Sequence, residues 1–338
     1  MLLSAANYSS KKGRGRLHLK RIGVVTSGGD APGMNAAIRA VVRLGHTRHL
    51  EVLGFERGWE GVMTNTFKPL GPRSVSGIIN QGGTMLFTSR CPEFKQREAI
   101  LKAGENLDLN EVYGLVVIGG NGSFKGALRL SKETDTAIIG VPATIDNDVF
   151  GTEETIGFDT AVNTAVSEID KIRDTAMSHE RIFIVEVMGR ARGFLALAVG
   201  LTVGSEIILV PEVKVETREI IKSIEESVHR GKKSNIIVVA EGVGENRILA
   251  KKIEEHIKSE VRLSVLGYAQ RGGSPTARSR YLACLFGDKA VELILNGERN
   301  KIVGLAGSKI TAIDLKESAK STKPLDLKLL ELAKELAV

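Results

Sequence analysis

The chain contains 338 residues, of which 42% are hydrophobic and only 4% aromatic, and its formal net charge is +7. This length allows a sizeable core with room for two lobes. The low aromatic content favours a core of Val, Ile, Leu and Ala, as in parallel strands covered by helices. Six Lys and Arg residues and no acidic residue lie in residues 1–21, which leaves a charge of only +1 for the remainder. We therefore predict a basic, disordered tail over residues 1–20 and no specific nucleic-acid partner.

The cysteine content and the hydropathy of the sequence limit the cellular compartments in which we expect this protein. Cys91 and Cys284 are too few and too isolated for a disulfide framework or a zinc cluster, which favours a reduced environment. No apolar run reaches membrane-spanning length, and the basic tail lacks the hydrophobic segment of a signal peptide. These features predict a cytoplasmic protein without a membrane span. Because the N-terminal segment contains Arg and no acidic residues, import into an organelle stays open as an alternative.

From Arg21 onward, short apolar runs alternate with segments of helical periodicity, which is typical of βαβ proteins. The predicted strands cover residues 22–26, 51–55, 114–119, 137–140, 181–187, 206–210, 235–239, 261–266 and 301–305. The predicted helices cover residues 34–44, 75–81, 121–132, 158–179, 194–203, 216–229, 247–258, 280–295 and 325–336. Two α/β lobes with a soft boundary near Gly157 are the natural interpretation.

Three loops at the ends of predicted strands attract attention. Residues 27–33 and 119–123 are rich in glycine, which lets backbone N–H groups approach a phosphate. Ligands of parallel α/β sheets bind at the carboxyl ends of the strands, where all three loops would lie. Neither glycine-rich loop is a Walker A motif or a complete GxGxxG. Each alone is equally consistent with a tight turn, but three on one sheet indicate a binding site.

The third loop, residues 144–148, carries two carboxylates. Asp146 and Asp148 are two residues apart, so in extended backbone both side chains point to one side. Adjacent like charges cost energy unless a cation or a proton-transfer task requires them. For a lone triplet of this kind, a polar loop with helix-capping carboxylates is the favoured alternative.

Five arginines next to strand-end loops supply the opposite charge. They are Arg90, Arg181, Arg190, Arg262 and Arg271. A surface arginine is solvated by default, but this set in a nearly neutral body looks like phosphate clamps. The chemistry that it indicates is phosphoryl transfer, which needs positioning and charge neutralisation more than covalent catalysis.

Six motifs together resemble the ATP-type 6-phosphofructokinases of glycolysis. They are TSGGDAPGMNAAIR at 26–39, GGNGS at 119–123, PATIDND at 142–148, SHER at 178–181, EVMGR at 186–190 and QRGGSP at 270–275. The resemblance implies two Rossmann-like three-layer lobes with mostly parallel sheets and an active site in the cleft between them. Residues 21–157 plus about 270–320 would form the nucleotide-binding lobe, and residues 158–269 plus the C-terminal helix 321–338 the fructose 6-phosphate-binding lobe.

The resemblance also implies a reaction and its participants. MgATP would phosphorylate the C1 hydroxyl of fructose 6-phosphate, with Asp146 as general base, Thr144 holding the transferred phosphate, and Arg90, Arg190 and Gly29 assisting. The ATP site would contain Gly29, Arg90, Cys91, Gly120, Asn121, Gly122 and Ser123. Fructose 6-phosphate would contact Thr144, Asp146, Asp148, Arg181, Met188, Gly189, Arg190, Glu241, Arg262, Tyr268 and Arg271. Arg181 and Arg262 would reach in from a neighbouring subunit of a homotetramer.

Asn121 and Tyr268 depart from the family pattern. Asn121 stands where the family usually has an acidic residue that positions Mg²⁺, so Asp148 would be the main metal ligand and Asn121 a doubtful one. Tyr268 replaces a family His and cannot carry positive charge. These departures leave a catalytically weakened sugar-phosphate or nucleotide sensor as one alternative.

The phosphoryl donor is the other open point. Gly122 and the small Ala143 accompany ATP in the family, whereas Asp and Lys at these positions accompany pyrophosphate. A pyrophosphate-dependent enzyme is therefore a second alternative, less favoured than an ATP-dependent one.

A second ligand site follows from the same resemblance. Bacterial members bind a nucleoside diphosphate or phosphoenolpyruvate between subunits, and six residues match much of that effector site: Arg39, Arg43, Arg173, Glu206, Arg230 and Lys232. Thr66 stands where an effector arginine usually lies. Trp59, in contrast, is interpreted as a packing residue rather than a ligand platform.

Overall fold

The structure, a computed structural model, describes residues 20–257 and 259–337. Apart from Lys20, the predicted basic tail lies outside the described residues. The strands are β1 (Arg21–Ser27), β2 (Glu51–Phe55), β3 (Phe67–Leu70), β4 (Val112–Gly119), β5 (Ala137–Pro142), β6 (Ile182–Val187), β7 (Ile207–Leu209), β8 (Asn235–Ala240), β9 (Val261–Val265), β10 (Lys301–Ala306) and β11 (Lys309–Asp314).

The helices alternate with the strands over most of the chain. They are α1 (Met34–Thr47), α2 (Trp59–Thr64), α3 (Arg97–Leu109), α4 (Asn121–Leu130), α5 (Phe158–His179), α6 (Phe194–Thr202), α7 (Thr217–His229), α8 (Asn246–Ile257), α9 (Ala277–Leu295), α10 (Leu315–Lys320) and α11 (Lys328–Leu336). None of the helices within the described ranges is long and apolar enough to cross a membrane.

Two sheets confirm the predicted α/β architecture with two lobes. The larger has the strand order β11-β10-β5-β4-β1-β2-β3, and only its edge strands β3 and β11 pair antiparallel. The smaller has the order β7-β8-β6-β9 and is parallel throughout. Both therefore present several strand ends at one edge, where parallel α/β sheets bind their ligands.

The core explains why short β-branched runs become strands here. Residues 115–118 of β4 are fully buried because helices cover both faces of the sheet. The largest apolar cluster extends through both sheets and includes Val116 of β4, Val185 of β6 and Ile169 of α5. The long helix α5 begins after Gly157, whose φ of 99° suits glycine and where a Cβ would lie 2.9 Å from that of Ala31. It runs from one sheet to the other.

One predicted helix is wrong. Residues 75–81 form turns rather than a helix, because Gly77 has a positive φ of 73°. The Asn35 side chain also donates to the carbonyls of Gln81 and Gly82, at 3.2 and 3.0 Å, which fixes the end of this segment. Periodicity also missed five elements: α2, β3, α3, β11 and α10.

Candidate active site

Three loops leave the larger sheet at the same level. The strand register places Ser27 of β1 opposite Gly119 of β4, and Gly119 opposite Pro142 of β5. The loops that follow these residues therefore meet at one edge, as predicted from the sequence. They line a cleft of about 200 Å³ together with residues from the loops after β6 and β9.

The cleft collects most of the predicted site. Twelve predicted residues line it: Gly29, Arg90, Cys91, Gly120, Asn121, Gly122, Ser123, Thr144, Asp146, Asp148, Arg190 and Arg271. Four more residues line it: Ser27 and Gly28, which belong to the predicted glycine-rich loop 27–33, and Trp59 and Ser89, which were not predicted as site residues. Trp59 is buried and stacks on Phe94 with ring centroids 4.6 Å apart, so it both packs and faces the cleft.

The first loop is closely packed on its neighbours. The hydroxyl of Ser123 donates to the Ser27 carbonyl at 2.8 Å. Arg271 donates through Nη1 to the Asp30 carbonyl at 3.0 Å, and its guanidinium occupies the space that a Cβ on Gly29 would need. Glycine at position 29 therefore allows a cation to lie directly against the backbone of this loop.

The second loop leads directly into α4, which begins at Asn121. A helix amino terminus attracts anions through its free N–H groups and its dipole. The amide Nδ2 of Asn121 donates to the Asp148 carbonyl at 3.0 Å, which joins the second loop to the third. An unprotonated carboxylate at position 121 could not make this hydrogen bond.

Asp146 is the most constrained group of the cleft. It is 3% exposed, and within the described residues its Oδ1 has no hydrogen-bond partner. Its Oδ2 lies 3.4 Å from Nε of Arg190. Burial raises the pKa of Asp146 and the nearby Asp148 raises it further, whereas Arg190 and Arg271 oppose the shift. The result is a carboxylate with increased proton affinity and one oxygen without a hydrogen-bond partner.

Asp146 and Asp148 both line the cleft, but a turn rather than extended backbone brings them there. Asn147 between them has a φ of 50°, a left-handed conformation that Asn tolerates. Its Oδ1 accepts a hydrogen bond from the Thr155 amide at 3.1 Å, and the Asp146 amide donates to Thr144 Oγ1 at 3.3 Å. The loop is thus ordered by its own side chains.

Comparison with known proteins identifies the fold and its relatives. The family model described as Phosphofructokinase matches residues 21–294. The chain belongs to the phosphofructokinase family. ATP-dependent 6-phosphofructokinase 1 of Thermus thermophilus is 51% identical over 322 residues, which cover 95% of this chain and 100% of that protein. The ATP-dependent 6-phosphofructokinase of Staphylococcus epidermidis is 48% identical over the same shares.

Solved phosphofructokinase structures share the architecture. Phosphofructokinase from Saccharomyces cerevisiae superposes with a TM-score of 0.83 at 33% identity, covering 94% of this chain and 48% of the yeast chain. This chain therefore spans about half the length of the yeast one. A pyrophosphate-dependent phosphofructokinase from Marinobacter aquaeolei gives a TM-score of 0.82 at 22% identity, covering 93% and 91% of the two chains, which shows the fold alone.

Three of the predicted sugar contacts of this phosphofructokinase adjoin the cleft from the smaller sheet. Met188 and Gly189 follow β6, and Glu241 follows β8, whose ends are level. The backbone amide of Arg190 donates to Glu241 Oε1 at 2.6 Å, and that of Met188 to Gln270 Oε1 at 3.4 Å.

The remaining predicted sugar-phosphate residues lie away from this cleft. Arg181 and Arg262 lie at the amino ends of β6 and β9. β6 is about 20 Å long at ~3.3 Å per residue, so these arginines lie far from Met188. Both guanidinium groups pair with Glu260. Tyr268 is 79% exposed and does not line the cleft.

The predicted effector residues are only partly assembled. Lys232 Nζ lies 3.6 Å from Glu206 Oε1, and Arg173 donates at 2.7 Å to the carbonyl of Val203, three residues before Glu206. Arg39 and Arg43 lie on α1, which packs against α9 rather than against this group. Arg230 ends α7 as its C-cap.

Proposed function

We propose that this chain phosphorylates the C1 hydroxyl of fructose 6-phosphate with MgATP, giving fructose 1,6-bisphosphate and ADP in glycolysis. The observation that carries the proposal is Asp146, a buried carboxylate with one free oxygen, placed where three phosphate-binding loops meet the loop of Arg190. The names of the curated relatives from Thermus thermophilus and Staphylococcus epidermidis, both ATP-dependent 6-phosphofructokinases, support it.

The C1 hydroxyl oxygen of fructose 6-phosphate attacks the γ-phosphorus of ATP, and the proton of that hydroxyl goes to Asp146. The bond between that phosphorus and the bridging oxygen breaks, and ADP leaves with the electron pair. Burial favours this proton transfer, because it raises the pKa of Asp146. Arg90 and Arg190 neutralise the charge on the transferring group, while Thr144 and the amino terminus of α4 bind its oxygens.

The nucleotide occupies the cleft between the first two loops. Gly29 and residues 120–123 approach the phosphates through backbone N–H groups, and Cys91 and Trp59 line the same cavity. Gly122 lines the cleft, and Ala143, which precedes Thr144, is fully buried in the apolar core, where a longer side chain would not fit without displacing its neighbours. The small residue favours ATP over pyrophosphate as donor.

Asp148 would hold Mg²⁺ together with the phosphates of ATP. Mg²⁺ commonly uses one or two carboxylates plus substrate phosphates, and Asp148 lines the cleft beside the loops that would hold those phosphates. When bound, Mg²⁺ supplies charge neutralisation at the phosphates.

The sugar site is completed by a second copy of the chain in a homotetramer. Arg181 and Arg262 lie at the opposite end of the smaller sheet from Met188, Gly189 and Glu241, and they share Glu260. This placement supports their contact with the 6-phosphate in a neighbouring subunit, while Arg271 acts within its own subunit.

A coupled assay for fructose 1,6-bisphosphate tests the reaction, with Mg²⁺ and with ATP, pyrophosphate or ADP as donor. We expect turnover with ATP only. Turnover with pyrophosphate alone would reverse the donor assignment, and no product with any donor would overturn the function. Light scattering of the same preparation tests the tetramer.

The effector residues are proposed as a regulatory site that is also completed between subunits. The pair of Glu206 and Lys232 beside Arg173 supports this assignment. The test is a fructose 6-phosphate saturation curve with and without ADP and phosphoenolpyruvate. If neither ligand shifts the curve, the assignment is rejected.

A further inference from the structure

The C-terminal segment between α10 and α11 contacts the loop that carries Asp146 and Asp148. Nζ of Lys323 donates to the carbonyls of Asn147 and Glu153, each at 2.9 Å. A single ammonium group thus joins two points of the connection between β5 and α5. Lys323 is half-buried, and its ammonium lies 5.0 Å from the centroid of the Phe194 ring.

The loop depends on side chains from distant parts of the sequence. Lys323 holds the Asn147 carbonyl, and Asn121 holds the Asp148 carbonyl at 3.0 Å. The side chain of Asn147 reaches the same Glu153 carbonyl as Lys323, at 3.2 Å. Two successive backbone oxygens are therefore held by side chains from other parts of the chain, while Asp146 and Asp148 line the cleft.

The same segment also holds the loop of Arg190. The backbone carbonyl of Lys323 accepts a hydrogen bond from Nη2 of Arg192 at 2.6 Å, and Nε of Arg192 lies 3.2 Å from Glu212 Oε1. Arg192 is two residues from Arg190, whose Nε approaches Asp146. Lys323 therefore connects the two loops that bring Asp146 and Arg190 together, one through its side chain and the other through its backbone.

The position is electrostatically costly for a lysine. Burial lowers the pKa of Lys323 to about 8, although Asp148, Glu153 and Glu154 act in the opposite direction. An exposed lysine would avoid this cost. The two hydrogen bonds to the loop give the amine a specific task that a surface lysine does not have.

We propose that Lys323 is a positioning residue for phosphoryl transfer, which fixes the loop of Asp146 and Asp148 relative to the loop of Arg190. This inference rests on the proposed function, because it concerns the placement of the general base. A small misplacement of reacting groups is sufficient to slow such a reaction about 10- to 100-fold.

The test is Lys323→Met, which keeps the chain length and removes the donors. We expect kcat to fall about 10- to 100-fold, while the KM values for ATP and fructose 6-phosphate change less than about threefold. Lys323→Arg, which retains charge and donors, should recover most of kcat. Lys320→Met is the matched control, since that lysine is exposed on the preceding helix, and it should behave as the wild type.

Hydrogen exchange gives a readout that does not need activity. Amides of residues 143–156 should exchange faster in Lys323→Met, while those of β6 and β8 stay unchanged. Unchanged exchange at residues 143–156, or a kcat within twofold of the wild type, would overturn the proposal. If Lys323→Met does not fold, Lys323→Gln carries the same two measurements. A wild-type protein that makes no fructose 1,6-bisphosphate would reject the function, and exchange would still decide the role of Lys323.

Discussion

The carboxyl ends of the larger sheet and the amino ends of the smaller sheet both carry charged residues, but they are built differently. At the first, Asp146 is buried and held between Arg190 and the ordered backbone of its loop. At the second, Arg262 is about half exposed and pairs with Glu260. Burial raises the pKa of Asp146 at the first, whereas the ion pair of Arg262 at the second is open to water, which screens it. On the proposed function, one chain by itself positions the general base Asp146, whereas the binding of the sugar phosphate involves an exposed surface that a second copy could reach.

The largest effect should come from Asp146→Asn. This change keeps the shape and removes the proton acceptor, so kcat should fall about 10³-fold with little change in either KM. Steady-state kinetics measures it, and the exposed Asp135→Asn serves as control. A near-normal kcat would disprove the role of Asp146 as general base.

A smaller effect, on affinity, is expected at the other region. Arg262→Ala should raise the KM for fructose 6-phosphate about 10- to 100-fold, because a hydrogen bond to a charged group is lost. The exposed Arg218→Ala on α7 is the control.

Mixed oligomers sharpen this test of a shared site. Co-expressed Asp146→Asn and Arg262→Ala subunits should regain activity, since one site then combines an intact Asp146 with an intact Arg262 from the neighbour. If the mixture is no more active than its components, Arg262 does not act between subunits.

Asn121→Asp should produce a few-fold change in Mg²⁺ response and a modest loss of stability. It removes the hydrogen bond to the Asp148 carbonyl and adds a carboxylate near Asp146, so the unfolding free energy in EDTA should fall by about 1 kcal/mol. Mg²⁺ should reduce this difference, because the cation offsets the added charge. Thermal unfolding in EDTA and in Mg²⁺ measures it.

The control for that experiment is Asn163→Asp on the exposed side of α5, which should show no dependence on Mg²⁺. An Asn121→Asp protein that is more stable than the wild type in EDTA would contradict the tethering role of Asn121.

A further effect concerns the dependence of stability on alkaline pH. The folded-state pKa of Lys323 is about 8 and the ordinary value is 10.5, so between these pH values the unfolded chain binds more protons and folding becomes more favourable as pH rises. Lys323→Met should lack this contribution. Urea midpoints at pH 8 and pH 10 test it, and Lys320→Met should keep the wild-type slope. Equal slopes in Lys323→Met and wild type would refute the shifted pKa.

The sequence predicted what short-range patterns control. The strand 51–55 is observed with the predicted bounds, and the loops after β1, β4 and β5 meet because parallel strands share an edge. The predicted helix at residues 75–81 was wrong because Gly77 has a positive φ and because the Asn35 side chain bonds the end of the segment, and both override its apolar spacing. Lys323 could not be found from sequence, since it is 176 residues from Asn147 and belongs to no motif.

The level ends of β1, β4 and β5 have a consequence for redesign of the site. Ser27, Gly119 and Pro142 lie side by side on the sheet, so the three loops begin at one level, and the hydroxyl of Ser123 in the second loop bonds the Ser27 carbonyl where the first loop begins. An engineer who wants another phosphoryl donor would exchange residues 120–123 and 143–148 as a pair, because Asn121 and Asp148 are joined. The unit of exchange is therefore this pair of loops, and the sheet that carries them stays unchanged.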